Sequence, residues 1–189
     1  PSRAAGAVPR GRGARSVAHG SHHRHPEREG HRKRGRLADP VGYDAGKKVK
    51  GVKRNLIVDT IGLLLGIEVI AASVQDRDCA ADLIRRTRRL FAFIALIFAD
   101  GGYAGDKLAT ELADQPVTLE IVKRTDDEPG FKLIRRRWVI ERTYSWLRRN
   151  RRLMAHYEAL AVIAEGFVKL AMINLMLKRL TETNLVPTT

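Results

Sequence analysis

Apolar and polar positions change period several times along this chain, and each change marks an element. NLIVDT (Asn55 to Thr60) and LLLGIEVIAAS (Leu63 to Ser73) are apolar runs rich in β-branched residues on either side of Ile61-Gly62, a pattern that predicts a β-hairpin. Asp76, Arg77 and Asp78 then open a helix from about Cys79 to Leu90. Its acids lie at the start and Arg85, Arg86, Arg88 and Arg89 at the end, as the helix dipole favours. FIALIFA, from Phe93 to Ala99, is continuously apolar and reads as a strand buried on both faces. A helix from about Gly105 to Ala113, a strand VTLEIV from Val117 to Val122, and a loop KRTDDEPG from Lys123 to Gly130 follow, the loop closed by Pro129-Gly130.

Two helices complete the pattern. The first is read from Arg135 to Leu153, RRRWVIERTYSWLRRNRRL, and carries one carboxylate, Glu141, among eight arginines. At helical spacing Arg137, Glu141, Tyr144, Ser145 and Arg148 share one face. Val139, Thr143, Trp146, Leu147 and Asn150 lie roughly opposite and form the face to bury. The second helix runs from about Tyr157 to Leu180, with Leu160, Ile163, Phe167, Leu170, Ile173 and Leu177 recurring at steps of three and four. Hairpin, helix, buried strand, helix, strand, helices is the order of an α/β fold, a mixed sheet with helices on its faces. Upstream, GYDAGKKVKGVK (Gly42 to Lys53) reads as a basic loop punctuated by glycines.

Residues 1–37 break the pattern altogether. They are rich in Gly, Arg and His, nearly free of aliphatic side chains, and without a period, so a disordered basic arm is expected there, followed by one domain over 38–180 and a flexible tail over 181–189. Five of the six histidines fall in this arm, but with no cysteine and no helix or strand to fix them they do not read as a metal site. The net charge of +14 over 189 residues points to a polyanionic partner. The arginines are spread over several segments, which favours nucleic acid over a membrane surface. The single cysteine, Cys79, excludes an internal disulfide and fits a reducing, cytoplasmic compartment. No run of eighteen apolar residues and no signal peptide is read from the chain.

Candidate chemistry converges on two acids. Asp100 ends the buried strand and precedes two glycines, and in open α/β sheets ligands gather at such strand ends, where glycine lets backbone and phosphate approach closely. Glu141 lies among cations on a helix. Two carboxylates from separate elements, flanked by arginines, suit Mg²⁺, which keeps few carboxylates and many water or phosphate ligands. Alternatively, Asp100 is a turn or cap residue and Glu141 half of a surface ion pair with Arg137. Asp44, Asp59, Asp76 and Asp78 are the candidates for a third acid.

The segments GYDAGKKVKGVKRNLIVDTIGLLL, QDRDCA, FADGGYAG, LEIVKRTDD and RRWVIERTYSWLRRNRRL together resemble the DDE transposases of bacterial insertion sequences, of the four/five type, from about Ala38 to Leu180. The resemblance implies an RNase H-like catalytic domain that uses three acids and Mg²⁺ (or Mn²⁺) to cut and rejoin the ends of a DNA element. It implies that Asp100 and Glu141 are the second and third acids, both catalytic and metal-binding. Arg137 and Arg148 fill the family's R-x3-E-x6-R spacing and are implied DNA contacts, with Lys47 and Lys48 as further ones. The family's tyrosine three residues before that first arginine is absent; Ile134 stands there.

The first acid is the main departure. The family carries it in a segment of the form I-I-D-S/T-Q-S-V-K, and HHRHPERE stands in that place. Read one base later, the codons for His22 to Glu29 permit I-I-D-T-Q-S-V-K. The arm is therefore expected to be a wrong-frame translation, with the frame regained between about Gly35 and Ala38. The implied partners are insertion-sequence ends and target DNA, with a homodimer on the DNA and no membrane, in a bacterial cytoplasm near the nucleoid. With one acid missing, cleavage and joining are expected to be impaired. The alternatives are a non-catalytic basic DNA-binding remnant and another RNase H-like nuclease.

Overall fold

The computed structural model of the chain describes residues 15–16, 41–45, 48–122 and 135–184. Its elements are β1 (Arg15–Ser16), β2 (Gly42–Asp44), β3 (Val49–Val58), β4 (Leu64–Ala71), α1 (Asp76–Leu90), β5 (Leu96–Ala99), α2 (Asp106–Glu111), β6 (Thr118–Ile121), α3 (Arg135–Arg148) and α4 (Ala161–Asn184), with single 3-10 turns at Gly101–Tyr103 and Arg151–Leu153. The result is a mixed α/β fold. The rest of the expected arm, the loop after β6 including Lys123 to Gly130, and the end of the tail lie outside the described residues.

Strand β3 is the spine. Along one edge it pairs antiparallel with β4 from Val52↔Ala71 to Val58↔Leu64. Its other edge is shared by β2, in register Gly42↔Gly51, and by β1, in register Arg15↔Val58. β1 also lies against β5, which pairs in parallel with β6 from Leu96↔Thr118 to Ala99↔Ile121. The segment expected as a glycine-punctuated loop is thus largely a second hairpin, β2–β3. Its lysines and glycines hide the strand because pairing on both edges, not local apolar content, holds it there.

Both faces of the sheet are covered, which is why β3 is buried throughout from Gly51 to Val58. Ile57 faces a core built with α1, Ile94, Ile97 and α2. Val52, Leu56 and Val58 face a second core built with Ile67, Val69, α3 and α4. The alternation along β3 is that of a pleated strand between two helical layers. Helix α3 buries Val139, Ile140, Thr143 and Leu147 and leaves Glu141, Ser145 and Arg148 exposed, so the face expected to bury does so apart from half-buried Trp146 and Asn150. The helix stops at Arg148, before the expected end.

Helix α4 corrects the expectation more strongly. It packs on β4 through Ala164, Val168 and Met172, while Ile163, Leu170, Ile173 and Leu177 of the larger stripe stand exposed. Small residues let a helix approach a sheet closely, and here that outweighs the larger side chains.

Candidate active site

Three consecutive residues of β3 are polar yet buried: Lys53, Arg54 and Asn55. Burying such groups is tolerated only when each finds partners. Arg54 points to the α3–α4 side, where its guanidinium donates to the Leu153 carbonyl at 2.9 Å and the Ala155 carbonyl at 3.3 Å. Burial pushes its pKa down from the ordinary arginine value. Asn55 points to the other side and donates to the Cys79 sulfur at 2.8 Å. Lys53, with a side chain only 10% exposed, donates to the Val74 carbonyl at 2.8 Å.

Lys53 marks the start of an acidic patch. Its ammonium lies 3.4 Å from Asp76 and 3.9 Å from Asp44. Asp76 in turn faces the turn after β5. There Asp100 closes the strand, and its carboxylate accepts from the Gly102 backbone N–H at 2.9 Å, capping the 3-10 turn. A Cβ at Gly102 would sit 3.1 Å from the Asp100 carboxylate and 3.9 Å from that of Asp76, so glycine here keeps the space between the two acids open. Tyr103 is buried beneath them. Burial pushes its phenol above the ordinary range, with Asp76, Cys79 and Asp100 adding to the effect and Tyr144 contributing from α3.

Tyr144 ties α3 to this region. Its phenol donates to the Arg54 carbonyl in the middle of β3. Near the other end of β3, Thr143 donates to the Gly62 carbonyl at 2.8 Å and Arg142 to the Ile61 carbonyl at 3.0 Å. Gly62, at a φ of +85° that suits glycine, presents its carbonyl at that hairpin tip. Glu141 is exposed on this anchored helix, one turn before Tyr144.

The other predicted residues fall as follows. Lys48 is exposed beside the β2–β3 turn, and Arg148 is exposed at the end of α3. Arg137 lies in the first turn of α3 and its side chain is outside the described set, as is all of Lys47. Asp59 accepts from the Ile61 and Leu63 backbone N–H groups at 2.9 and 2.8 Å and serves the turn. Asp78 pairs with Lys107 at 2.7 Å, a hydrogen bond that holds its carboxyl below the usual value. The acid that the structure sets beside the Asp100 turn is Asp76, with Lys53 rather than a third acid against it. Among the described residues no three His, Cys, Asp or Glu side chains come together to hold a metal ion. Sequence reasoning did not single out Lys53, Gly102 or Tyr144 for these contacts. A Lys-Arg-Asn run inside an otherwise apolar strand was the visible signal.

Several arginines of α3 and its neighbourhood are also structural. The Arg142 guanidinium lies 4.3 Å from the Trp138 ring and 4.8 Å from the Trp146 ring, and Arg179 of α4 covers Trp146 at 4.3 Å. Arg152 pairs with Glu158 at 2.7 Å and stacks on Phe167.

Comparison with known proteins bears directly on these elements. A family described as the transposase DDE domain matches residues 17–176, a span that takes in both Asp100 and Glu141 and begins inside the compositionally distinct arm. A protein of Burkholderia cepacia, named provisionally as the transposase for insertion sequence element IS402, is 31% identical over 127 residues. That match covers 64% of this chain and 60% of the relative's own length.

Proposed function

This chain belongs to the transposase DDE domain family, and on that premise we propose that it engages DNA as the catalytic portion of an insertion-sequence transposase with an RNase H-like core. In this reading Asp100 and Glu141 are the acids that bind Mg²⁺ or Mn²⁺. Arg137, Arg148, Lys47 and Lys48 contact the DNA backbone, and two copies act together on element ends and target DNA. The observation that supports it most is the placement of Asp100: the end of a strand in the parallel β5–β6 pair, followed by an open Gly-Gly turn, beside the β3 sheet to which α3 is anchored through Tyr144 and Thr143.

We further propose that cutting and joining are impaired. HHRHPERE stands where the family's first acid is expected, and a lysine ammonium stands 3.4 Å from Asp76, the carboxylate beside the Asp100 turn. The purified chain is expected to bind duplex DNA with an affinity that falls steeply with salt and to show little nicking or joining with Mg²⁺. Robust strand transfer that Glu141→Gln abolishes would refute the impairment. Loss of salt-dependent DNA binding would refute the wider reading.

The second reading, a basic DNA-binding remnant without catalysis, is favoured by the same Lys53–Asp76 contact. Calorimetric titration with Mn²⁺ separates the two. Heat of binding that disappears in Asp100→Asn supports a retained metal site, and identical traces for the two proteins support the remnant.

A further inference from the structure

Helix α4 is apolar on two sides, and only one of them is used. The sheet side holds Ala164, Val168 and Met172. The opposite side carries Ile163, Leu170, Ile173, Leu177 and Leu180, which are 45–62% exposed, together with Gly166, around whose Cβ direction nothing lies within 4 Å. These six positions step by three, four, three, four and three residues. That is the a/d spacing of a helix built to meet another helix, and it is unlike the scattered exposed leucines of an ordinary surface.

We propose that α4 pairs with α4 of a second copy of this chain, in antiparallel orientation. The stripe reads the same from both ends about a point between Ala171 and Met172. Antiparallel pairing therefore sets Ile163 against Leu180 of the second copy, Leu170 against Ile173, and Gly166 against Leu177. The last layer gives the geometry its direction. A parallel pair would put Gly166 opposite Gly166 and leave a gap, whereas the antiparallel pair fills each glycine hole with a leucine.

Charge agrees with a second copy as the occupant. The stripe itself has no charged side chain on a chain of net +14, so it offers a polyanion nothing. On its flanks (Val162, Phe167, Lys169, Asn174, Met176 and Thr181) there is one charge, Lys169, and antiparallel pairing turns its flank toward the same flank of the second copy, with Lys169 nearest to Met176 there. Two strongly basic molecules can thus meet here with a single lysine from each on the seam's border, the two offset along the axis and not directly opposed. Covering the five exposed aliphatic side chains removes roughly 500 Å² per copy, or about 1,000 Å² in all, near the lower bound for a specific interface. The seam would supply the contact that two copies on DNA need, yet its evidence and its test involve no DNA.

Sedimentation velocity of the DNA-free chain tests it. The chain is expected to dimerise reversibly, and the double substitution Leu170→Glu, Leu177→Glu to weaken association by about a hundredfold or more with unchanged helical circular dichroism, since both positions are exposed. Orientation is read by oxidising a mixture of Leu170→Cys copies and Ile173→Cys copies. Links between position 170 and position 173 should outnumber links between two copies of position 170. The native thiol stays out of this reaction because Cys79 is engaged by Asn55 and burial pushes its pKa up to about 12. A chain that stays monomeric at every concentration, a dimer indifferent to the double substitution, or a preference for 170–170 links would each overturn the proposal. Salt-dependent DNA binding by a monomeric chain would leave the transposase reading standing while removing the seam.

Discussion

Helices α3 and α4 pack on the same face of one sheet with opposite compositions. Five of the fourteen residues of α3 are arginines, yet the helix fastens itself to the sheet at three levels: Arg142 and Thr143 at the hairpin tip, Tyr144 at mid-strand, and Val139, Ile140 and Leu147 in the core between. In α4 apolar residues predominate, yet six of its large aliphatic side chains are left outside. The contrast teaches that contact geometry, more than side-chain character, assigns burial. A helix lies against a sheet through the stripe that fits closest, and α4 offers Ala164, Val168 and Ala171 there. Charged side chains meanwhile earn inside positions when their heads find carbonyls or aromatic faces.

Substitutions on either helix can break that contrast or sharpen it. The largest effect is expected at Val168, which is fully buried on the sheet side of α4. Val168→Asp would place an unpaired carboxylate in the core and cost on the order of 4 kcal/mol or more, read as loss of the cooperative urea transition. Ile140→Ala on α3, at a site 1% exposed, should cost about 3 kcal/mol by leaving a cavity, measured as a shift of the urea midpoint at constant slope. Replacing Arg54 by Met keeps the volume but abandons the Leu153 and Ala155 carbonyls. About 2 kcal/mol is expected, and hydrogen exchange should show earlier opening of the segment between α3 and α4.

Arg142→Ala removes a guanidinium stacked between Trp138 and Trp146 and bonded to Ile61. About 1 kcal/mol is expected, and tryptophan fluorescence should report the change directly. The smallest effect belongs to the outer stripe. Leu170→Ala, measured where copies are separate, should move stability by no more than about 0.5 kcal/mol. A change above 2 kcal/mol there would mean that α4 sits on the sheet by the wrong stripe.

Much of this architecture was legible in the chain. β3 with β4, β5, β6, α1 and α2 follow from period, dipole-matched charges and turn residues, and Asp100 followed from its strand end and glycines. What escaped shares one physical cause: it depends on partners distant in sequence. The β2–β3 hairpin begins in a lysine- and glycine-rich stretch that only cross-strand pairing orders. The burial of Lys53 and Arg54 is set by Val74, Leu153 and Ala155. The choice between two apolar stripes on α4 is set by the sheet surface it meets. At the candidate site, Asp76 stood among four candidates for a third acid, and only the fold singles it out beside the Asp100 turn, because Asp76 also reads as an ordinary first-turn acid of α1.

The reach from Arg54 to Leu153 has a consequence for how the molecule is made. During synthesis β3 and β4 leave the ribosome about a hundred residues before the carbonyls that receive that guanidinium. Until residues 153–155 emerge, the α3–α4 side of the spine strand must stay wet, because closing it would strand a cation in a dry interior. The early hairpin can form but cannot be sealed, and α4, made after those carbonyls, closes that side of the sheet. Folding of this chain should therefore be slow and late, completed by its C-terminal third instead of spreading from its N-terminal strands.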